Sequence, residues 1–194
     1  MGRGWRTVSA MAGERAPRIA PGGRSEIGRR NWAIANGAGL AAKGSPPNIF
    51  TTLGRHRRLF RSWIRFAGNL MPRGKLPRDE TELIILRVAH NTGSEYEWSH
   101  HERLGRRAGL VDEEISMVRQ GPEAPAWSAR RRLLLRAADE MHTERAIGGE
   151  LWDELAAELD DVRMIELCML IGHYEMLAMT LNSIEVQPER ESRL

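Results

Sequence analysis

One cysteine in 194 residues leaves Cys168 without a partner, which excludes an intramolecular disulfide and any multi-cysteine metal site. Long apolar runs are missing as well. None approaches the ~18 uncharged residues of a membrane span, and the most apolar run, Leu167 to Tyr174, is bracketed by Glu166 and Glu175. The N-terminus has arginines but no continuous apolar stretch of the secretory kind. Alternating apolar and polar residues, the mark of a half-buried strand, occur nowhere, and there is no internal repeat. Zinc-finger spacing and aromatic RNA-binding motifs are absent too. That matters because residues 1–75 carry 15 Lys/Arg against 2 Asp/Glu, while the remainder is acidic. Without such motifs the basic half reads as a solvated tail and a packed basic helix, not as a nucleic-acid surface. The expectation is a cytoplasmic protein with neither membrane nor nucleic acid as partner.

What is present is ordinary globular composition, 41% apolar and 28% charged, in a length suited to one domain. Residues 1–45, rich in Gly, Arg and Ala, read as a partly disordered tail that docks through Trp32 and Ile34. From Pro46 to Pro188 the signals are helical, giving an all-α domain of about six helices. Asn48 is placed to cap a helix running to about Met71. Pro77 opens the next, with Asp79, Glu80 and Glu82 near its positive end, and Gly93 stops it. Ser94 caps a helix that ends at Gly109, and Asp112 caps a short one to Gln120. Ser128 caps Ala129–Glu144, a further helix spans about Glu150–Leu159, and the longest runs from Asp161 to about Ile184.

The polar residues worth following lie in Ser94-Glu95-Tyr96-Glu97-Trp98-Ser99-His100-His101-Glu102. At about 100° per residue, Leu104 and Ala108 define the apolar side. Glu97 and His101, one turn apart, fall on that flank with Ser94, whereas Glu95, Ser99, Glu102, Arg103 and Arg106 face water. His100 sits at the boundary with Tyr96. In the preceding helix Glu82 shares a face with Leu86 and Ala89, and a carboxylate there needs a partner. The turn at Gly93 can bring Glu82, Glu97 and His101 together, and a histidine held by a carboxylate is a usable proton shuttle. In the last helix the spacing pairs His173 with Glu166. Glu97-x-x-His100 also has di-iron spacing, but the nearest second copy, Asp139-x-x-His142, is imperfect, so no metal is expected.

On these residues the chain resembles the carboxymuconolactone decarboxylase family, which includes the alkylhydroperoxidase D branch. The resemblance spans roughly Pro46 to Pro188. It is densest in LPRDETELIILRVAHNTGSEYEWSHHERLGRRAGL and returns in LIGHYEMLAMTLN. It implies a compact helical unit that assembles into trimers or hexamers with sites near subunit contacts. Trp63, Trp98, Trp127 and Trp152 add modest support as aromatic anchors. The peroxidase branch carries Glu, Cys-x-x-Cys, then His four residues on. Here Glu82 and His101 match, but Ser94 and Glu97 stand where the cysteines would, and neither forms a disulfide. The decarboxylase branch, with Glu four residues before His, is the nearer match. It implies cofactor-free acid–base chemistry, decarboxylation through an enolate or a related proton transfer, on a small cyclic or carbonyl substrate, with His101 as general acid/base, Glu97 its partner and Glu82 a tuning carboxylate. Ser94, Trp98, His100 and His173 are the expected substrate contacts, and Arg87 or Arg103 the candidates to hold a substrate carboxylate. The alternatives are peroxidase activity of the alkylhydroperoxidase or peroxiredoxin type, through Cys168, and a non-enzymatic oligomeric binding protein.

Overall fold

A computed structural model describes residues 16–189 apart from residue 43. Nine helices, not about six, lie among the described residues, and there are no strands: α1 Arg24–Ala42, α2 Asn48–Leu53, α3 Arg57–Leu70, α4 Arg78–Asn91, α5 Glu95–Ala108, α6 Asp112–Gln120, α7 Ala129–Glu144, α8 Gly149–Glu158 and α9 Asp161–Ile184. The expected helix from Asn48 to Met71 is two. The chain turns at Gly54–His56, and His56 Nδ1 accepts the Leu59 amide to begin α3.

The largest departure is α1, in the stretch read as a tail. Ile27, Asn31, Ala35 and Gly39 face inward, while Trp32 and Ile34 are only half-buried. Gly28 breaks the helical pattern with φ +80°, a conformation that costs glycine little. Polar contacts compensate for the thin apolar stripe. Asn31 Nδ2 donates to the Gly54 carbonyl at 3.1 Å, and Arg57 reaches the carbonyls of Glu26 and Ser25 at 3.1 and 2.8 Å. Residues 1–15 lie outside those described.

The buried centre is α4. Leu83, Leu86 and Ala89 join Trp98, Val118 and Trp127 in one apolar cluster, whereas Ile84, Ile85 and Val88 join the larger one with α7, α8 and α9. A helix apolar on both sides suits a place between two cores. Two bidentate ion pairs fix it to α7: Arg130 with Glu80 at 2.6 and 3.0 Å, and Arg87 with Asp139 at 2.6 and 2.8 Å. Asn91 also donates to Asp139, and His142 pairs with Glu175 at 2.7 Å. Asp139 and His142 thus serve different partners, and Arg87 is committed to α7, away from any substrate.

α9, 24 residues long, is apolar enough to cross a membrane by length and composition, although Glu166 and Glu175 interrupt it; half of its apolar window is buried inside the protein. The expected Glu166–His173 pair does not form. Glu166 accepts the amides of Lys75 and Leu76 at 2.6 to 2.9 Å, just ahead of α4, and His173 turns to the interior.

Candidate active site

Gly93, at φ +61°, reverses the chain so that α5 returns along α4. The Ser94 amide bonds to the Ala89 carbonyl at 2.9 Å. Ser94 holds the N-cap position, but its hydroxyl caps nothing and is buried without a partner. The returning helix brings His101 to Glu82, with Nδ1 and Oε2 at 2.6 Å and both residues buried. This corrects the expected pairing: the carboxylate that holds His101 is Glu82, across the helix interface, and not Glu97 one turn away. Arg78 forms an ion pair with the other Glu82 oxygen from one turn earlier in α4. A buried carboxylate flanked by two cationic or hydrogen-bonding partners meets the cost of its desolvation.

Glu97 has no such help. It is 3% exposed, Oε2 is sealed from solvent, and no described residue hydrogen-bonds to its carboxyl. Burial, and then the charge of Glu82, push the Glu97 carboxyl up to about 8. At neutral pH it therefore holds its proton and acts as a donor. His173, from α9, is the mirror case. Burial, and then the charge of His101, bring its imidazole down to about 4, so it stays neutral. Its Nδ1 is buried and unpartnered. Trp63 stacks along its ring with centroids 6.3 Å apart, and Phe66 meets it edge-on at 5.2 Å. Tyr174 stands edge-on to both His101 and His173, 5.1 Å from each ring centre. Burial first, then Glu97 and Glu82, hold its phenol well above the usual range.

A cavity of about 1120 Å³ opens onto these groups between α1, α3, α5 and α9. Glu97, His101, His173 and Tyr174 line it together with apolar side chains such as Trp63 and Leu177. Glu97 Oε1, His101 Nε2 and His173 Nε2 receive no bond from a described residue and are not sealed off, so these are the atoms that face the space. Arg65 and Arg107 are exposed cations along its wall, and so is Arg103, whose Nη2 lies 3.3 Å from His100 Nδ1. Two expected substrate contacts are elsewhere. Ser94 lies outside the lining. Trp98 packs in the second core beneath Arg119, whose guanidinium carbon is 3.7 Å from the ring centre, and beside His90.

His100 does line the cavity, but it is held by a residue the sequence did not single out. Glu189 Oε2 lies 2.6 Å from His100 Nε2. Its other oxygen accepts from the Tyr96 hydroxyl at 2.9 Å and the Asn48 amide at 2.5 Å, and Tyr96 in turn accepts the Ile49 amide at 3.0 Å. Burial opposes the charge of Glu189, yet the bonds from His100, Asn48 and Tyr96 prevail and bring its carboxyl down to about 2. One of three glutamates in a polar C-terminal stretch, Glu189 carries no signal for this role. Only the return of the chain to the N-terminus of α2 shows it.

Comparison with known proteins agrees with this architecture. Residues 57–140 match the carboxymuconolactone decarboxylase family. The fold is similar to an alkylhydroperoxidase AhpD core, an uncharacterized peroxidase-related protein from Ralstonia eutropha JMP134, at TM-score 0.82 and 16% identity over 92% of this chain and 95% of that one. A peroxidase-related protein from Silicibacter sp. TM1040 superposes at 0.77, with 16% identity over 92% and 97% of the two chains. A cysteine-to-alanine variant of the debrominase Bmp8, in complex with 2,3,4-tribromopyrrole, superposes at 0.75, with 19% identity over 88% and 91%. No curated protein matches the chain. The matched segment contains α4 and α5 with Glu82, Glu97 and His101, and these helices sit in an all-α frame: residues 57–140 are similar to the carboxymuconolactone decarboxylase family, and the chain has an AhpD-like fold with a single cysteine and so no Cys-x-x-Cys pair.

Proposed function

We propose that the chain catalyses cofactor-free proton transfer, of the kind decarboxylation through an enolate requires, on a small cyclic or carbonyl substrate in the cavity. One observation carries this reading: a protonated carboxyl and a carboxylate-held imidazole present their free atoms to the same space. With Nδ1 held by Glu82, the His101 ring leaves Nε2 free to exchange a proton with the substrate. Glu97 supplies the proton. In a decarboxylation the bond from carbon to carboxylate breaks and its electron pair enters the conjugated carbonyl as an enolate. The Glu97 carboxyl and a neutral His173 N–H stabilise the developing oxyanion. CO2 leaves, Glu97 delivers its proton to the carbon, and a proton taken up from solvent restores the Glu97 carboxyl and closes the cycle. An open cavity beside the polar group supports an enzyme over a sealed structural cluster. The thiol route lacks comparable support, because Cys168 is half-buried outside the cavity lining and burial pushes its thiol up.

The test is proton chemistry itself. Unsaturated lactone acids and cyclic ketones are incubated with the protein in deuterated water, and CO2 release and C–H exchange are followed by NMR. Turnover by the wild type that disappears in His101→Ala and Glu97→Gln is expected. Undiminished turnover in His101→Ala, or turnover abolished only by Cys168→Ser, overturns the reading.

A further inference from the structure

The cavity in front of Glu97 and His101 is divided by depth. Glu97, His101, His173 and Tyr174 are all buried and form its inner end. Four arginines, Arg65, Arg73, Arg103 and Arg107, also line it, and all four are exposed, so they stand where it meets solvent. Much of the remaining wall is hydrocarbon, from Ile34 and Ala38 of α1, Ile64 and Ala67 of α3, Phe50 and Leu177. The volume of about 1120 Å³ slightly exceeds the roughly 300 to 1,000 Å³ of sites for drug-sized ligands. A small lactone acid leaves most of that space empty and carries its charge close to its reacting carbon.

The four arginines differ from others in what they lack. Arg78, Arg87, Arg106, Arg130, Arg131 and Arg136 each pair with a carboxylate. Among the described residues those at the cavity have no such partner: Arg73 donates to the neutral amide of Asn69 at 3.2 Å, and Arg103 reaches His100. Gly68, inside α3, leaves the room that Arg73 occupies, since a Cβ there would stand 3.1 Å from its Nη2. Two carboxyls share the lining with them. Glu189 is held by His100, Tyr96 and Asn48, and Glu97 lies at the inner end. Unpaired positive charge around an apolar opening draws in anions, and a guanidinium fork fits carboxylate and phosphate oxygens. From this arrangement we infer that the substrate is an anionic amphiphile. Its carbonyl end reaches Glu97 and His101, an apolar body fills the cavity, and a carboxylate or phosphate head rests on the arginines at the opening. The inference rests on the proton-transfer reading for the carbonyl end alone. His101 and Arg107 are six residues apart on α5, about 9 Å along the axis at ~1.5 Å per residue. The head is therefore a handle and not the group that reacts.

Two dyes separate head from body. N-phenyl-1-naphthylamine and its 8-sulfonate share an aromatic frame, differ in charge, and fluoresce when held in apolar surroundings. The full chain is expected to bind the sulfonate about tenfold or more tighter than the neutral dye, and added salt weakens the sulfonate alone. Arg65→Ala with Arg107→Ala removes that preference, leaving the neutral dye and the helical circular dichroism unchanged, and Arg65→Lys with Arg107→Lys restores part of it. Arg29 and Arg30, exposed on α1 outside the lining, control for general surface charge, so Arg29→Ala with Arg30→Ala changes neither dye. Dodecanoate and dodecyl phosphate displace the sulfonate where acetate and inorganic phosphate do not, and the tighter of the two names the head. Equal affinity for the two dyes, an equal loss in the Arg29 and Arg30 variant, or no displacement by either amphiphile up to about 1 mM overturns the inference. None of these readouts needs turnover. Amphiphiles that bind without any proton exchange or CO2 release count against the proton-transfer reading alone, whereas turnover of small lactone acids without a preference for the charged dye sinks this inference alone.

Discussion

Neighbouring histidines on α5 each have a carboxylate oxygen 2.6 Å away, yet they belong to different structures. His101 points to α4 and is 6% exposed; its partner Glu82 is fully buried. His100 points to the C-terminal segment, and its partner Glu189 is shared with Tyr96 and the start of α2. The first pair lies inside a two-helix unit and presents a free ring nitrogen to the cavity. The second is a latch between distant parts of the chain, with both ring nitrogens within reach of Glu189 or Arg103. An identical contact distance therefore says little about role. What separates the two is whether an unused atom faces enclosed space.

Substitution divides the pair most sharply. His101→Ala is expected to lower turnover about a hundredfold to ten-thousandfold, the usual range for an acid–base group. His100→Ala lowers it less than tenfold, by steady-state rates on the same substrate. Comparable losses from both break the distinction. Glu82→Ala comes next. It strips Arg78 and His101 of their common partner and costs about 3 kcal/mol or more in urea unfolding, as expected when one member of a buried ion pair is removed.

Glu97→Gln acts in the opposite direction on stability. With its folded value near 8, above the ordinary carboxyl value, the folded state holds a proton that the unfolded state releases. Stability is then highest below the unfolded value and falls as pH rises through 8. Glutamine has no proton to lose, so the variant gains about 2 to 4 kcal/mol over wild type at pH 9 and little at pH 4. A melting-temperature difference that is flat with pH contradicts a protonated Glu97. Smallest is Glu189→Gln, at about 1 kcal/mol because the pair is partly solvated. The sign also reverses: its folded value lies near 2, below the ordinary one, so the contribution is present above the unfolded value and fades as pH falls toward 2.

The two pairs were unequally legible. Helical spacing alone sends Glu82, Glu97 and His101 inward, and all three are buried. Spacing favours Glu97 as the partner of His101 because they are one turn apart on the same helix. Side chains on one helix face run parallel, however, and the oxygen that meets Nδ1 head-on comes from the adjoining helix. The same limitation applies to Glu166 and His173. Glu189 and α1 were hidden for another reason. Their places depend on hydrogen bonds to carbonyls and amides far along the chain, which no local pattern of apolar residues encodes. The Gly, Arg and Ala content of residues 1–45 suggests a stretch unable to fold alone, whereas α1 within it is held by partners from α3 and the turn before it.

By itself, then, the sequence determined the helical class, the inward face of α4 and α5 and the absence of a Cys-x-x-Cys pair, because periodicity and residue type are local properties. Tertiary structure alone decided which carboxylate holds His101, why Glu97 keeps its proton and His173 loses its own, and that a cavity lies before them. Those outcomes depend on distance and burial between segments remote in sequence, and the free energy of a charge follows its surroundings in space.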